Sequence, residues 1–275
     1  MRVAYLGPQG TFSEDALLAS APAGVEPVPM PTVDAVVRAV EDGSVERGVV
    51  PIESAAEGSV DATLDALAAA PVTIVAEVVR PISHALIARS ELPLERVTTV
   101  ASHPQALAQC ADFLRAELPW ATAMAWSSTA EAVLETAARP EPWAAIGTPR
   151  AAELYGCVVL RSGIEGRAGN ETRFVWLAPE GAEPDPATPP SKTSLAFFGA
   201  GASESGWLVR CLSEFAFRGV NLTRIESRPR KDRLGQYLFF VDLEGGTGDE
   251  RVRAAIEGLR SHADEVRVLG SYPAA

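Results

Sequence analysis

The sequence predicts an α/β protein in two units, and three observations carry that prediction. Short apolar, β-rich runs alternate with helical stretches through the first two thirds of the chain. From Ala178 to Ser194 the chain reads "APEGAEPDPATPPSKTS", whose five prolines mark a linker. After it the order changes to βαββαβ, the ferredoxin-like arrangement, in about eighty residues, enough for one small domain.

In the first unit "RVAYLG", "GVVPIE", "VTTVAS", "ATAMAW" and "WAAIGT" read as strands. "SEDALLAS", "TVDAVVRAVEDG", "SVDATLDALAAA", "HPQALAQCADFLRAEL", "STAEAVLETAA" and "TPRAAELYG" read as helices. The helix signals are specific. Thr32 is an N-cap, and Gly43 ends that helix. Ser128 and Glu131 have capping-box spacing. Thr148-Pro149 is a cap followed by proline at the first helical position, and Gly156 is the stop. In the second unit "KTSLAFFG", "VNLTRIESRP", "GQYLFFVDLEG" and "EVRVLGSY" read as strands, with helices at "SGWLVRCLSEFAFRG" and "DERVRAAIEGLRSH".

Composition excludes several classes. The 275 residues are 47% hydrophobic and 22% charged, with a formal net charge of −12. Such an acidic chain is a poor nucleic-acid or anionic-membrane binder. An anionic substrate would need positive potential supplied locally. Cys110, Cys157 and Cys211 are dispersed and odd in number, with no CxxC or Cys/His cluster, which indicates neither a zinc site nor a disulfide framework. Buried thiols in a reducing cytoplasm are expected. "MRVAYLGPQG" does not read as a secretory signal, and no apolar run approaches about 18 residues.

Polar clusters fall at the strand–helix junctions, where parallel α/β sheets bind ligands. "GPQGTFSED" is a glycine loop opening a helix; its amides from Gly10 to Ser13 suit either capping or a carboxylate or phosphate. It is neither a Walker A loop nor GxGxxG. Ser102, Gln105 and Gln109 have the i, i+3, i+7 spacing of one helical face, opposite Leu107, Cys110 and Leu114. That polar face fits a ligand or solvent. Glu53, ending "GVVPIE", is either an acid–base candidate or a helix-start charge. His84, His103 and His262 lack a nucleophile motif. In "GNETRFVWL" the polar group Asn170 to Arg173 precedes an apolar strand, and periodicity alone reads it as a strand's polar entrance.

Together "GPQGTFSEDA", "VPIE…EGSV", "SHPQALAQC", "STAEA", "NETRF" and "NLTRIESRP" resemble the prephenate dehydratase family, in the family's order and over nearly the whole chain. The resemblance implies an α/β fold with a two-lobed, periplasmic-binding-protein-like catalytic domain plus a ferredoxin-like βαββαβ ACT domain. It places the catalytic domain at residues 1–178, with lobe 1 at about 1–79 and 167–178 and lobe 2 at about 80–166. The linker would be 179–191 and the ACT domain 192–275. The implied activity is loss of water and carbon dioxide from prephenate, giving phenylpyruvate, with no metal or organic cofactor. The implied partners are prephenate and L-phenylalanine, with no nucleic acid or membrane, in a cytoplasmic homodimer or dimer of dimers.

The family's TRF threonine, here Thr172, is implied to act on the leaving hydroxyl, with Ser102, Gln109 and Glu53 as further catalytic residues. Thr11, Ser13, Ser54, Arg173 and Phe174 are implied substrate-binding residues, Arg173 being either a carboxylate anchor or a structural pair. Gly206, Trp207, Leu208, Asn221, Leu222, Glu226, Ser227, Arg228 and Pro229 are implied to bind phenylalanine. Two departures matter. The family's VPIENS reads VPIESA here, so Ser54 and Ala55 stand in place of Asn and Ser. The family's GAL motif aligns with Gly206-Trp207-Leu208, where a tryptophan would crowd the effector pocket. Arogenate dehydratase and a non-aromatising prephenate decarboxylase are alternatives on the same scaffold.

Overall fold

A computed structural model of the chain describes residues 1–139, 142–167, 169–184, 187–199, 204–231 and 234–275. The linker thus includes two positions, 185 and 186, outside the described residues, and the second lobe-1 segment, 167–178, includes one, 168.

The first sheet contains β1 (Arg2–Leu6), β2 (Glu26–Met30), β3 (Arg47–Ser54), β5 (Val72–Pro81) and β11 (Glu171–Pro179), in the order β2-β1-β3-β11-β5. A short β4 (Gly58–Ser59) pairs with β3. β1 runs parallel to β2 and β3. β11 returns antiparallel between β3 and β5, so its first residues lie level with the end of β3, Thr172 opposite Ser54.

The second sheet has the order β10-β6-β9-β7-β8, from β6 (Ala85–Ala88), β7 (Thr99–Ser102), β8 (Thr122–Ala125), β9 (Trp143–Gly147) and β10 (Val158–Ser162). The third holds β12 (Lys192–Phe198), β13 (Leu222–Pro229), β14 (Tyr237–Glu244) and β15 (Glu265–Tyr272), all antiparallel in the order β13-β14-β12-β15. With α8 (Trp207–Ala216) and α9 (Glu250–Arg260) this is the ferredoxin-like topology.

The remaining helices are α1 (Phe12–Ser20), α2 (Val33–Glu41), α3 (Asp61–Ala69), α4 (Pro104–Gln109), α5 (Ala111–Glu117), α6 (Thr129–Ala138) and α7 (Pro149–Leu154). Their caps follow from sequence. Thr32, Ser128 and Thr148 each accept an amide three residues on. Glu131, however, bonds the Ser127 hydroxyl rather than completing the capping box.

Two readings change. "HPQALAQCADFLRAEL" is two helices broken at Cys110, because the Gln109 carbonyl accepts the Gly166 amide (2.9 Å). β2, "EPVPM", carries Pro27 and Pro29 and is tolerated because it is an edge strand. β5, β6 and β10 are strands that a plain β–α alternation does not call for.

The first sheet is covered on both faces. Val3, Tyr5, Ala16, Leu17, Phe174 and Trp176 bury one face under α1. On the other, Val50, Ile52, Ile74, Val175 and Leu177 join Leu64 and Leu67 of α3 and Ala196, Phe240, Leu269 and Tyr272 of the third sheet. Each large apolar side chain so buried contributes about 1.5–3 kcal/mol. The C-terminal unit is therefore docked through a continuous core. Gly270 shows how close the approach is: a Cβ there would lie 2.1 Å from the Ile74 carbonyl oxygen. Gly270→Ala is expected to cost about 1–3 kcal/mol, because backbone meets backbone and only separation of the two sheets relieves the clash. Thermal unfolding checks this, and an unchanged Tm would show the junction to be loose.

Candidate active site

The loop after β1, the end of β3, the start of β11 and α4 of the second sheet come together: the Ala55 amide donates to the Glu171 carbonyl, Asn170 reaches Gln109 and Phe12 meets His84. The glycine loop before α1 fixes the two sheets' approach. Thr148 Oγ1 donates to the Gly10 carbonyl and Tyr155 to that of Gln9, both at 2.8 Å. Gly10 has φ +85°, and a Cβ there would meet Ala151 at 2.9 Å, so only glycine permits this contact. The Gly10 amide donates to Glu14 Oε2 (2.7 Å), which also pairs with Arg150 (3.2 Å). Thr11 Oγ1 donates to the Leu6 carbonyl (3.1 Å) and accepts from the Glu14 amide (3.4 Å). Capping thus takes the Thr11 hydroxyl. The first turn of α1 still leaves the Phe12 and Ser13 amides without intrahelical acceptors.

Strand alternation sorts the TRF triplet. Thr172 and Phe174 share the α1 face, and Arg173 points to the other. Thr172 is half-buried, and among the described residues its hydroxyl has no hydrogen-bond partner. Ser54, its register partner on β3, is buried and accepts the Ala56 amide (3.3 Å).

Two residues before Thr172, Asn170 Nδ2 donates to Gln109 Oε1 (3.1 Å). The same oxygen lies 2.8 Å from His84 Nε2, which fixes that nitrogen as the protonated one. The Phe12 ring meets His84 edge-on, with centroids 5.4 Å apart. The His84 amide donates to Glu165 Oε2 (2.8 Å). A cavity of about 380 Å³ opens beside this network, lined by Glu57, Gln109, Asp112, Glu165, Arg167 and Asn170 among others. His84 Nδ1 and Asn170 Oδ1 are buried without partners. His84 and Phe12 are site residues that sequence reasoning misses.

Burial lowers the His84 pKa, opposed by its Gln109 bond and the Glu165 charge. The unfolded chain therefore takes up this proton near pH 6.5, and the folded chain only below that. The folded form binds fewer protons in that window, so stability falls as pH drops below about 6.5. Urea unfolding at pH 7.5 and 5.5 checks this, and His84→Gln is expected to lack that part of the slope. Equal slopes would show that His84 does not titrate on unfolding.

Several expected residues are not in the cleft. Ser102 ends β7 rather than joining the Gln105–Gln109 helical face; it is fully buried and donates to the Ile146 carbonyl (2.7 Å). Phe174, implied to bind substrate, is buried in the core under α1. Glu53 and Arg173 pair with each other (3.0 Å) on the sheet face away from Thr172. Arg173 also bonds Glu77 (3.0 Å) and Asp242 (2.6 Å), so its guanidinium meets three carboxylates. Glu53 is engaged as an ion-pair partner rather than poised as an acid or base.

The expected effector residues divide similarly. Trp207 is 4% exposed, packs on Phe197 and Phe239, and donates Nε1–H to the His262 carbonyl (2.6 Å). It fills its own unit's core. Leu208 and Leu222 pack on that core. Gly206 caps α8 with φ +78°. Asn221 donates to Glu244 Oε1 (3.0 Å). Glu226 accepts from Ser59 Oγ (2.8 Å) and Arg228 pairs with Asp61 and Asp65, so both charges face the first unit. Ser227 and Pro229 are exposed. Among the described residues no group of three or more His, Cys, Asp or Glu side chains could hold a metal ion, and no helix is long and apolar enough to cross a membrane.

The family profile described as prephenate dehydratase matches residues 3–182. A prephenate dehydratase of Amycolatopsis methanolica is 39% identical over 273 residues, covering 98% of this chain and 88% of that one. The crystal structure of an Arthrobacter aurescens prephenate dehydratase in complex with L-Phe is 36% identical, with a TM-score of 0.90 over 99% of this chain and 90% of that one. A third structure, described as a novel type of quorum-quenching acylase, is 28% identical with a TM-score of 0.88, covering 100% and 98%.

Proposed function

The chain belongs to the prephenate dehydratase family, and from that premise we propose how its cleft performs the reaction. It is a hydro-lyase that converts prephenate to phenylpyruvate with loss of water and carbon dioxide. The ring carboxylate leaves as carbon dioxide, its bonding electrons complete the aromatic ring, and the ring hydroxyl departs. Aromatisation supplies most of the driving force. The protein must orient the dicarboxylate, exclude water and stabilise departing hydroxide. The observation that carries the residue assignment is the Thr172 hydroxyl, which bonds no other described residue, whereas those of Thr11 and Ser102 donate to carbonyls within the chain. A threonine hydroxyl is too weak an acid to give up its proton alone, so Thr172 donates a hydrogen bond or relays a proton to the leaving oxygen. Gln109, held by Asn170 and His84, orients substrate, and the Phe12 and Ser13 amides take a carboxylate.

An acylase reading finds no support in the site. His84 bonds Gln109, His103 caps α4 and His262 pairs with Glu214, so no histidine activates a serine or cysteine. Ser54 lies opposite Thr172, where substrate choice between prephenate and arogenate is read. Our reading favours prephenate; a higher kcat/KM for arogenate would overturn it.

We assign residues 1–178 to the catalytic domain, with lobes at about 1–79 plus 167–178 and about 80–166. We assign 179–191 to the linker and 192–275 to an ACT domain that binds L-phenylalanine near Glu226–Pro229. The ferredoxin-like topology and the L-Phe complex of the Arthrobacter relative support this. The working form in this reading is a cytoplasmic homodimer or dimer of dimers. Calorimetry with L-phenylalanine is expected to show binding; its absence would remove the effector.

A further inference from the structure

Arg173 is the residue after Thr172, and strand alternation turns its side chain to the opposite face of the sheet. There it joins three strands from two units. Glu53 is on β3, Glu77 on β5 and Asp242 on β14 of the C-terminal unit. The cluster balances three cations, Arg173, Lys192 and Arg224, against those three carboxylates. Arg173, Glu77 and Asp242 are 10%, 2% and 3% exposed at their side chains, so these charges depend on one another. Asp242 is itself fixed. Its Oδ1 accepts from Ser194 Oγ (2.6 Å), which lies 2.7 Å from the Tyr272 hydroxyl.

Thr172 has no side-chain bond of its own. Its placement follows from the backbone of β11, held in register by Ser54 and Arg80 on either side and by the Arg173 clamp one residue on. We infer that Asp242 is a positioning residue for the dehydration: through Arg173 it sets where β11 presents the Thr172 hydroxyl, so the C-terminal unit contributes to turnover without touching substrate. A displacement of about 1 Å at a reacting group can cost up to a hundredfold in rate, so a lost clamp bond matters even in an intact fold.

The inference rests on Thr172 acting in prephenate turnover, and the test separates the two. Asp242→Asn in the full chain is expected to lower kcat about tenfold with KM within about twofold. In a Thr172→Ala background the same substitution should change kcat by less than about twofold, because the group it positions is gone. Equal losses in both backgrounds, or no loss in either, would overturn the inference. If Asp242→Asn does not fold, Ser194→Ala replaces it, since it keeps the carboxylate and its Arg173 bond and removes the hydroxyl that Asp242 shares with Tyr272. The expected loss is about threefold in the Thr172 chain and none in the Thr172→Ala chain; equal effects would again overturn the inference. A chain that never turns over prephenate fails the proposed function instead.

Discussion

Thr172→Ala is expected to lower kcat for prephenate by about a hundredfold or more while KM changes by no more than a few fold. The reason is geometric. Thr172 is half-buried at the start of β11, and its hydroxyl bonds no other described residue. The substitution breaks no hydrogen bond to another described residue and removes one hydroxyl and one methyl group from a half-exposed site, so the ground state changes little. The loss falls on the transition state, where charge builds on the departing oxygen. Thr172→Ser, which keeps the hydroxyl, should restore most of the rate. Steady-state kinetics on the three proteins checks both. If the serine variant were as slow as the alanine variant, packing by the threonine methyl would explain the effect and the leaving-group role would fall.

Arg173→Ala is expected to act on stability first, by about 3–5 kcal/mol, because it strands buried Glu77 and Asp242 without their shared cation. Glu53 is 40% exposed and adds little to that cost. Urea unfolding measures it. Arg173→Lys keeps the charge but loses the fork that reaches three carboxylates, so an intermediate cost is expected. A substrate anchor would behave differently: KM would rise and the unfolding midpoint would hardly move. That result would return Arg173 to the cleft.

The contrast between these neighbours shows what local sequence can reveal. "NETRF" is legible as a polar entrance to a buried strand, and period-two alternation already puts Thr172 and Arg173 on opposite faces. What lies beyond each face is not legible. Asp242 meets Arg173 across 69 positions, and only docking of the third sheet brings them together. Ser102 misleads for a related reason. A Ser-x-x-Gln spacing reads as a helical face, but its serine is the last strand residue and is tied inside the second sheet. His84 is missed because β6 is short and antiparallel, outside the β–α alternation that organises the rest. The C-terminal unit is the most legible part. Its six elements follow from turn signals and periodicity, although β12 pairs with the distant β14 and β15. Trp207 there shows the limit of motif alignment: a position expected at an effector pocket is turned inward by the apolar face of α8.

The most direct measurement is product identification by proton NMR after incubating the unsubstituted chain with prephenate, beside Thr172→Ala. The account predicts phenylpyruvate, with a monosubstituted aromatic ring and no ring hydroxyl, formed quickly by the first protein and about a hundredfold more slowly by the second. A decarboxylated product that keeps the hydroxyl and lacks the aromatic ring, or equal rates from both proteins, would contradict it.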